Sequence, residues 1–227
     1  MRSKKIRKNS VTAVSILLIL AFSACGGGKK VENVQTKDTV VVVKPEKTIA
    51  NLQTAIINES NASAKYKVLA LVAEREKLKN VAKMFEAASF AEQLHASSQS
   101  VWLSLLKIKL VPEVETPMIQ KDIKTNIQIA IQTQTAEFSN VYPSMIEDAK
   151  AENQEKAAQS FTFAMEAKKK HVELYAQALK ILTEKKNDKT ISNQWYVCPR
   201  CGCLFNDITE VETCIICGEM KRSFRKF

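Results

Sequence analysis

The chain has 227 residues, with 34 Lys and Arg against 24 Asp and Glu, six Cys, two His and only five Gly. That length suits one full-sized domain plus a small one. No glycine stands between Gly28 and Gly202, which excludes a Walker loop or a dinucleotide-binding turn there and disfavours tight hairpins, since all of these use glycine backbone.

The chain begins with Arg2, Lys4, Lys5, Arg7 and Lys8, an apolar run from Val11 to Phe22, and then Ser23-Ala24-Cys25. A basic head, a short apolar segment and small residues before a cut site describe a signal peptide over 1–24. The run is short for a bilayer span. Cys25 after two small residues resembles the lipobox of bacterial lipoproteins, with Phe22 where Leu is usual. That resemblance implies lipidation at Cys25 and an exported protein anchored to a membrane of the bacterial cell envelope. An ordinary signal peptide or an uncleaved anchor is the alternative. Loss of the leader halves the formal charge of +10, and the remaining excess is too scattered to suggest a nucleic-acid partner.

Residues 25–47 read as a flexible tether, in which Val40 to Val43 could add an edge strand before Pro45. Residues 48–188 carry four helical patterns. Thr48 is the expected N-cap of the first, whose apolar face holds Leu52, Ala55, Ile56, Tyr66, Ala70 and Ala73 together with Glu59. A break at Asn80, a residue tolerant of left-handed backbone, leads to Val81, Met84, Phe85, Ala88, Glu92, His95, Gln99 and Trp102. Pro112 and Pro117 bracket a crossover. The third pattern runs from about Asp122 through Ile123, Ile127, Ala130, Gln134, Glu137, Val141 and Met145, bent at Pro143. After a turn near Asn153 come Ala157, Phe161, Ala164, Lys168, His171, Leu174 and Ala178. Four long amphipathic helices with a central crossover predict an all-α four-helix bundle.

The two halves repeat. Asn51-Leu52-Gln53 with Ala55-Ile56 matches Asn126-Ile127-Gln128 with Ala130-Ile131, and Phe85 precedes His95 at the interval by which Phe161 precedes His171. Each apolar stripe is interrupted by groups that are costly to bury unpaired: Glu59, Glu92 with His95, Glu137, and His171. Glu92-x-x-His95 puts a carboxylate and an imidazole on one helical face. One Glu from each of two helices plus Glu-x-x-His from each of the others is the ligand set of ferritin-like di-iron bundles. By the repeat, however, Gln134 stands opposite Glu59 and Lys168 opposite Glu92. Glu137, one turn beyond Gln134, can partly replace the first loss. The alternative is a metal-free cluster in which Lys168 neutralises Glu59, Glu92 or Glu137 directly.

Residues 189–227 hold two C-x-x-C-G knuckles, Cys198 to Gly202 and Cys214 to Gly218, with twelve residues between Cys201 and Cys214. Four thiolates in a tetrahedron suit one iron or Zn²⁺. Disulfides are the alternative in an exported chain. Cys203 is a fifth thiol without an assigned role.

From residue 48 to the end the sequence resembles the rubrerythrin family. The residues that carry the likeness are Asn58-Glu59-Ser60 with Tyr66, Glu92-x-x-His95, Glu137 with Tyr142-Pro143, His171 with Tyr175, and Trp195-Tyr196-Val197-Cys198. The resemblance implies a ferritin-like bundle followed by a rubredoxin-like domain, and hydrogen-peroxide reduction at a non-haem di-iron centre. It implies Glu59, Glu92, His95, Glu137 and His171 as iron ligands, with Tyr66 and Tyr142 hydrogen-bonded to ligand carboxylates. Cys198, Cys201, Cys214 and Cys217 would hold the single iron. Electrons would come from an outside donor and pass to the bundle from the partner subunit of a homodimer. Where the family has two further Glu ligands, this chain has Gln134 and Lys168. A non-catalytic metal-binding or electron-transfer lipoprotein is the alternative reading.

Overall fold

The computed structural model describes residues 44–227, so Cys25, the leader and the Val40–Val43 segment lie outside the described residues. The described chain is all-α apart from one small sheet. Helices α1 (Glu46–Arg75) and α2 (Lys79–Leu105) form one pair; α3 (Ile123–Ala136), α4 (Tyr142–Ala151) and α5 (Glu155–Lys185) form the other, completing a four-helix bundle. Among the described residues no helix is long and apolar enough to cross a membrane.

Three local expectations are corrected by the backbone. Thr48 does not cap α1, which starts earlier, at Glu46. It is buried in the first turn, and its N–H and hydroxyl both donate to Glu152 at 2.7 Å. An acid beyond α4 thus takes the cap's place at the positive end of the α1 dipole. The break before α2 falls at Lys77, with φ 62°, and not at Asn80. Asn80 sits in the first turn of α2, where its N–H reaches Asp188 Oδ2 and its amide donates to the Asp188 and Ile191 carbonyls. It ties the segment after α5 to the bundle. Val141 faces outward, 37% exposed. It ends a π turn, Glu137–Val141, that joins α3 to α4 through a bond from the Tyr142 N–H to the Glu137 carbonyl. Pro143 lies just beyond this turn; its ring and missing N–H disrupt a regular helix over the preceding residues, and the wider turn accommodates both. The turn near Asn153 is as expected, with φ 57°.

The core is in two parts. Leu52, Ile56, Leu103, Tyr142, Met145 and Phe161 pack at one end. Tyr66, Leu69, Phe85, Ile127, Leu174 and Tyr175 pack at the other. Buried Glu59, Glu92, His95, Gln134, Lys168 and His171 lie between them. Strands β1 (Tyr196–Val197), β2 (Leu204–Phe205) and β3 (Arg225–Lys226) form an antiparallel sheet in the order β2-β1-β3. Trp195, Val197 and Leu204 of this module share the second core cluster with Phe85 and Tyr175. The module is therefore seated on the bundle by apolar packing.

Candidate metal centres

Helical spacing aims polar side chains from α1, α2, α3 and α5 into the layer between the two apolar clusters. Glu59 of α1, Glu92 and His95 of α2, Gln134 of α3, and Lys168 and His171 of α5 are all buried. Glu137, the first residue of the π turn, joins them with a side chain 17% exposed. The Lys168 ammonium lies at the centre, 3.1 Å from Glu59 Oε2, 3.1 Å from Glu92 Oε2 and 2.9 Å from Glu137 Oε2. The Tyr142 hydroxyl donates to Glu59 Oε1. Gln134 donates to Glu92 Oε1 at 2.5 Å and to the Tyr66 hydroxyl at 3.0 Å. Tyr66 therefore reaches the acids through the Gln134 amide, and not directly as the family resemblance implies: an amide with N–H groups has replaced a carboxylate there.

Burial alone would discharge this layer; the partners decide which groups stay charged. Burial opposes charge on Lys168, yet Glu137, Glu59 and Glu92 hold its pKa well above the usual range. Burial likewise opposes the Glu92 carboxylate, but Lys168 and the two imidazoles keep it well below the ordinary value. For Glu59 burial wins against Lys168 and lifts the carboxyl to about 7. Burial lowers the His95 pKa, and its bonds to Glu59 and Glu92 overcome this to raise it to about 9. His171 is lowered, chiefly by burial.

Both imidazoles face the same way. His95 Nε2 lies 3.0 Å from the Cys201 carbonyl and His171 Nε2 lies 3.0 Å from the Gly202 carbonyl. Donation of Nε2–H to these carbonyls leaves each Nδ1 turned into the carboxylate layer. This is the arrangement of metal-binding histidines, whose second nitrogen is fixed by an outer acceptor. His95 Nδ1 is 3.0 Å from Glu92 Oε2. His171 Nδ1 is 3.6 Å from Glu92 Oε1 and has no hydrogen-bond partner. Donor atoms of Glu59, Glu92 and His95 all lie within 4.8 Å of one another, a separation that one cation can bridge.

The second donor group is the sulfur cluster. Cys198, Cys201, Cys214 and Cys217 converge within 4.8 Å, with Sγ–Sγ separations of 3.5 Å for Cys198–Cys217 and 3.4 Å for Cys201–Cys214. All are free thiols, as is buried Cys203, so the disulfide alternative does not describe this arrangement. Four thiolates this close repel one another unless a cation sits among them. Gly202 and Gly218 close the knuckles with φ of 73° and 72°, where a side chain would be strained.

The structure thus brings together Glu59, Glu92, His95, Glu137, His171, Tyr66 and Tyr142 in one layer, and the four knuckle cysteines in another site. The roles of the Cys201 and Gly202 carbonyls are not visible in the sequence, since backbone acceptors carry no residue signal. Gln99 lies on the buried face of α2, as its place in the helical pattern predicts, and its amide donates to the Tyr142 hydroxyl at 3.3 Å. A Gln four residues after His95, on the same helical stripe, is the sequence signal for that bond.

Bundle, carboxylate–imidazole layer and thiolate knuckles define a ferritin-like metalloprotein with a rubredoxin-like module. The rubrerythrin family model matches residues 50–179, and the chain belongs to the rubrerythrin family. Rubrerythrin-2 of Clostridium acetobutylicum is 29% identical over 82% of this chain and 99% of its own length. Nigerythrin of Nitratidesulfovibrio vulgaris is 29% identical over 79% of this chain and 86% of its own. The structure of nigerythrin in its fully reduced, all-ferrous state superposes with a TM-score of 0.72 at 27% identity, covering 79% of this chain and 86% of that one. Iron is the metal of this family, and the chain carries a Glu/His group and a four-Cys group suited to it.

Proposed function

We propose that the chain reduces hydrogen peroxide to water at the bundle layer, with electrons arriving through the four-thiolate site. The observation that carries this reading is the pair of contacts from His95 and His171 to the Cys201 and Gly202 carbonyls. A route from the sulfur of Cys201 to the bundle crosses a single hydrogen bond. Iron, when bound, supplies one-electron redox chemistry at both sites. Peroxide needs two electrons and two protons to become two waters. Lys168 and the Tyr142 hydroxyl hold protons beside the acids. A cleft of about 540 Å³ lined by Tyr66, Thr133, Glu137 and Met118 leads to the layer. Glu137 lines this cleft and pairs with Lys168, so a small oxidant entering it meets the edge of the layer.

The test is anaerobic reduction of the iron-loaded protein followed by mixing with hydrogen peroxide. The ferric thiolate absorption should return while peroxide is consumed over many turnovers. A reduced protein that leaves peroxide intact rejects the proposal. A second reading, electron transfer without turnover, is favoured by the three ion pairs of Lys168, which neutralise the layer without a metal. Reoxidation by a partner but not by peroxide would select it.

We further propose export and anchoring through lipid on Cys25, with assembly as a homodimer supplied by an outside electron donor. Mass spectrometry of the membrane fraction should find a mature chain starting at a lipid-modified Cys25. An intact Met1 terminus overturns the anchoring, and a monomer at working concentration overturns the dimer.

A further inference from the structure

The paired-metal bundle takes one carboxylate from each of two helices and Glu-x-x-His from each of the other two. In this chain α5 offers Lys168-x-x-His171 in place of the second such motif. Lys168 is 0% exposed, and its ammonium lies within 3.1 Å of all three carboxylates. It is an integral part of the layer and occupies space between the acids that metal ions would otherwise bridge.

The formal charges lead to the same conclusion. Glu59, Glu92 and Glu137 bring three negative charges and Lys168 one positive, a balance of minus two. One divalent cation cancels that balance. Two would leave the same excess of positive charge buried, where the interior cannot solvate it. Donors are also rationed. Glu59, Glu92 and His95 converge on one point, and His171 Nδ1, buried and unpartnered, faces Glu92 from the other side. The one carboxylate outside this group, Glu137, is held by Lys168 at 2.9 Å, and Gln134 directs an N–H at Glu92 where the symmetric layer would have an acid.

We propose that the bundle binds one divalent cation, centred on Glu92 with Glu59 and His95 and with His171 Nδ1 available, and that the Lys168 ammonium permanently supplies the second positive charge. This rests on the bundle being a metal site, not on the choice of oxidant.

The test is metal content and magnetic state of the full chain, loaded anaerobically with ferrous iron or with Mn²⁺. Wild type should hold two irons per chain, one in the thiolate site and one in the bundle. Mn²⁺ in the bundle should give the electron paramagnetic resonance spectrum of an isolated ion. Lys168→Glu should raise iron to three per chain and convert the Mn²⁺ signal to that of a coupled pair, while Lys168→Gln should stay at two irons. Three irons or a coupled pair in wild type overturns the proposal, and so does a wild-type bundle that binds no metal. These wild-type outcomes decide the matter even if Lys168→Glu does not fold. Failure to consume peroxide alters none of these readings, so it bears on the proposed function alone.

Discussion

Gly202 lies directly against His95, and a Cβ on Gly202 would overlap the imidazole at Nε2. The carbonyl of the preceding Cys201 accepts from that same nitrogen, and the Gly202 carbonyl serves His171. One glycine therefore answers two demands: the left-handed backbone that closes the knuckle, and the close approach that couples the thiolate site to the bundle.

Gly202→Ala and Gly218→Ala separate those demands. Both positions have φ near the left-handed value, at 73° and 72°, so each substitution carries a backbone cost of about 1–2 kcal/mol. Only Gly202 meets a neighbour; the space around Gly218 is open. Gly202→Ala should be the more destabilising in denaturant titration, and it alone should slow electron passage from the thiolate site after rapid reduction. Equal effects would mean that the His95 contact imposes no constraint of its own.

Lys168→Met removes the positive charge from three carboxylates, those of buried Glu59 and Glu92 and half-buried Glu137, while keeping a side chain of similar length. Breaking a buried ion pair by deleting one partner costs about 3–5 kcal/mol. The metal-free variant should lose stability on that scale by urea unfolding and recover part of it when Mn²⁺ is added. A variant as stable as wild type without metal would show that the acids are protonated in the folded protein.

Much of this was legible in the sequence. The glycine-free stretch, the 3.6-residue stripes and the internal repeat pointed to the bundle. The paired C-x-x-C-G knuckles pointed to the sulfur site, and Lys168 could be placed opposite Glu92 by the repeat. What the sequence did not carry depends on groups brought together from a distance. The cap on α1 is Glu152, from the other half of the chain. Asn80 fails as a breaker because Asp188 recruits it. The histidine acceptors are carbonyls, which every residue has. Pro143 announces a bend after Glu137, but nothing in the sequence shows that the bend takes the form of a π turn.

Cys214→Ser should disconnect the two ends of the chain. The thiolate site lies within a small apolar cluster of cysteines with Phe205, too little core to order the knuckles without metal. Visible thiolate–iron absorption should vanish, and limited proteolysis should cut within 198–227. The far-ultraviolet helical signal should remain, because the bundle has its own core. Loss of that signal would show instead that the bundle depends on the seated module for its fold.

The stability of the metal-free protein should fall as pH rises through the neutral range. Burial lifts the folded Glu59 carboxyl from 4.5 to about 7. The folded state thus keeps a proton that the unfolded chain releases, and this contribution is present below 4.5 and lost as pH rises through about 7. For His95 burial acts downward, but the bonds to Glu59 and Glu92 raise it from 6.5 to about 9. Its contribution is present below 6.5 and lost as pH rises through about 9. Glu92 acts oppositely: burial would raise it, yet Lys168 and the imidazoles hold it well below 4.5, so its stabilisation is lost only in stronger acid. Urea midpoints of the metal-free chain should therefore be higher at pH 6 than at pH 9. A divalent cation takes the place of the protons on Glu59 and His95, so its affinity should climb over the same interval. Titrating Mn²⁺ binding across that range checks the linkage, and a midpoint that rises with pH in the metal-free protein would show that these two groups are not protonated together in the fold.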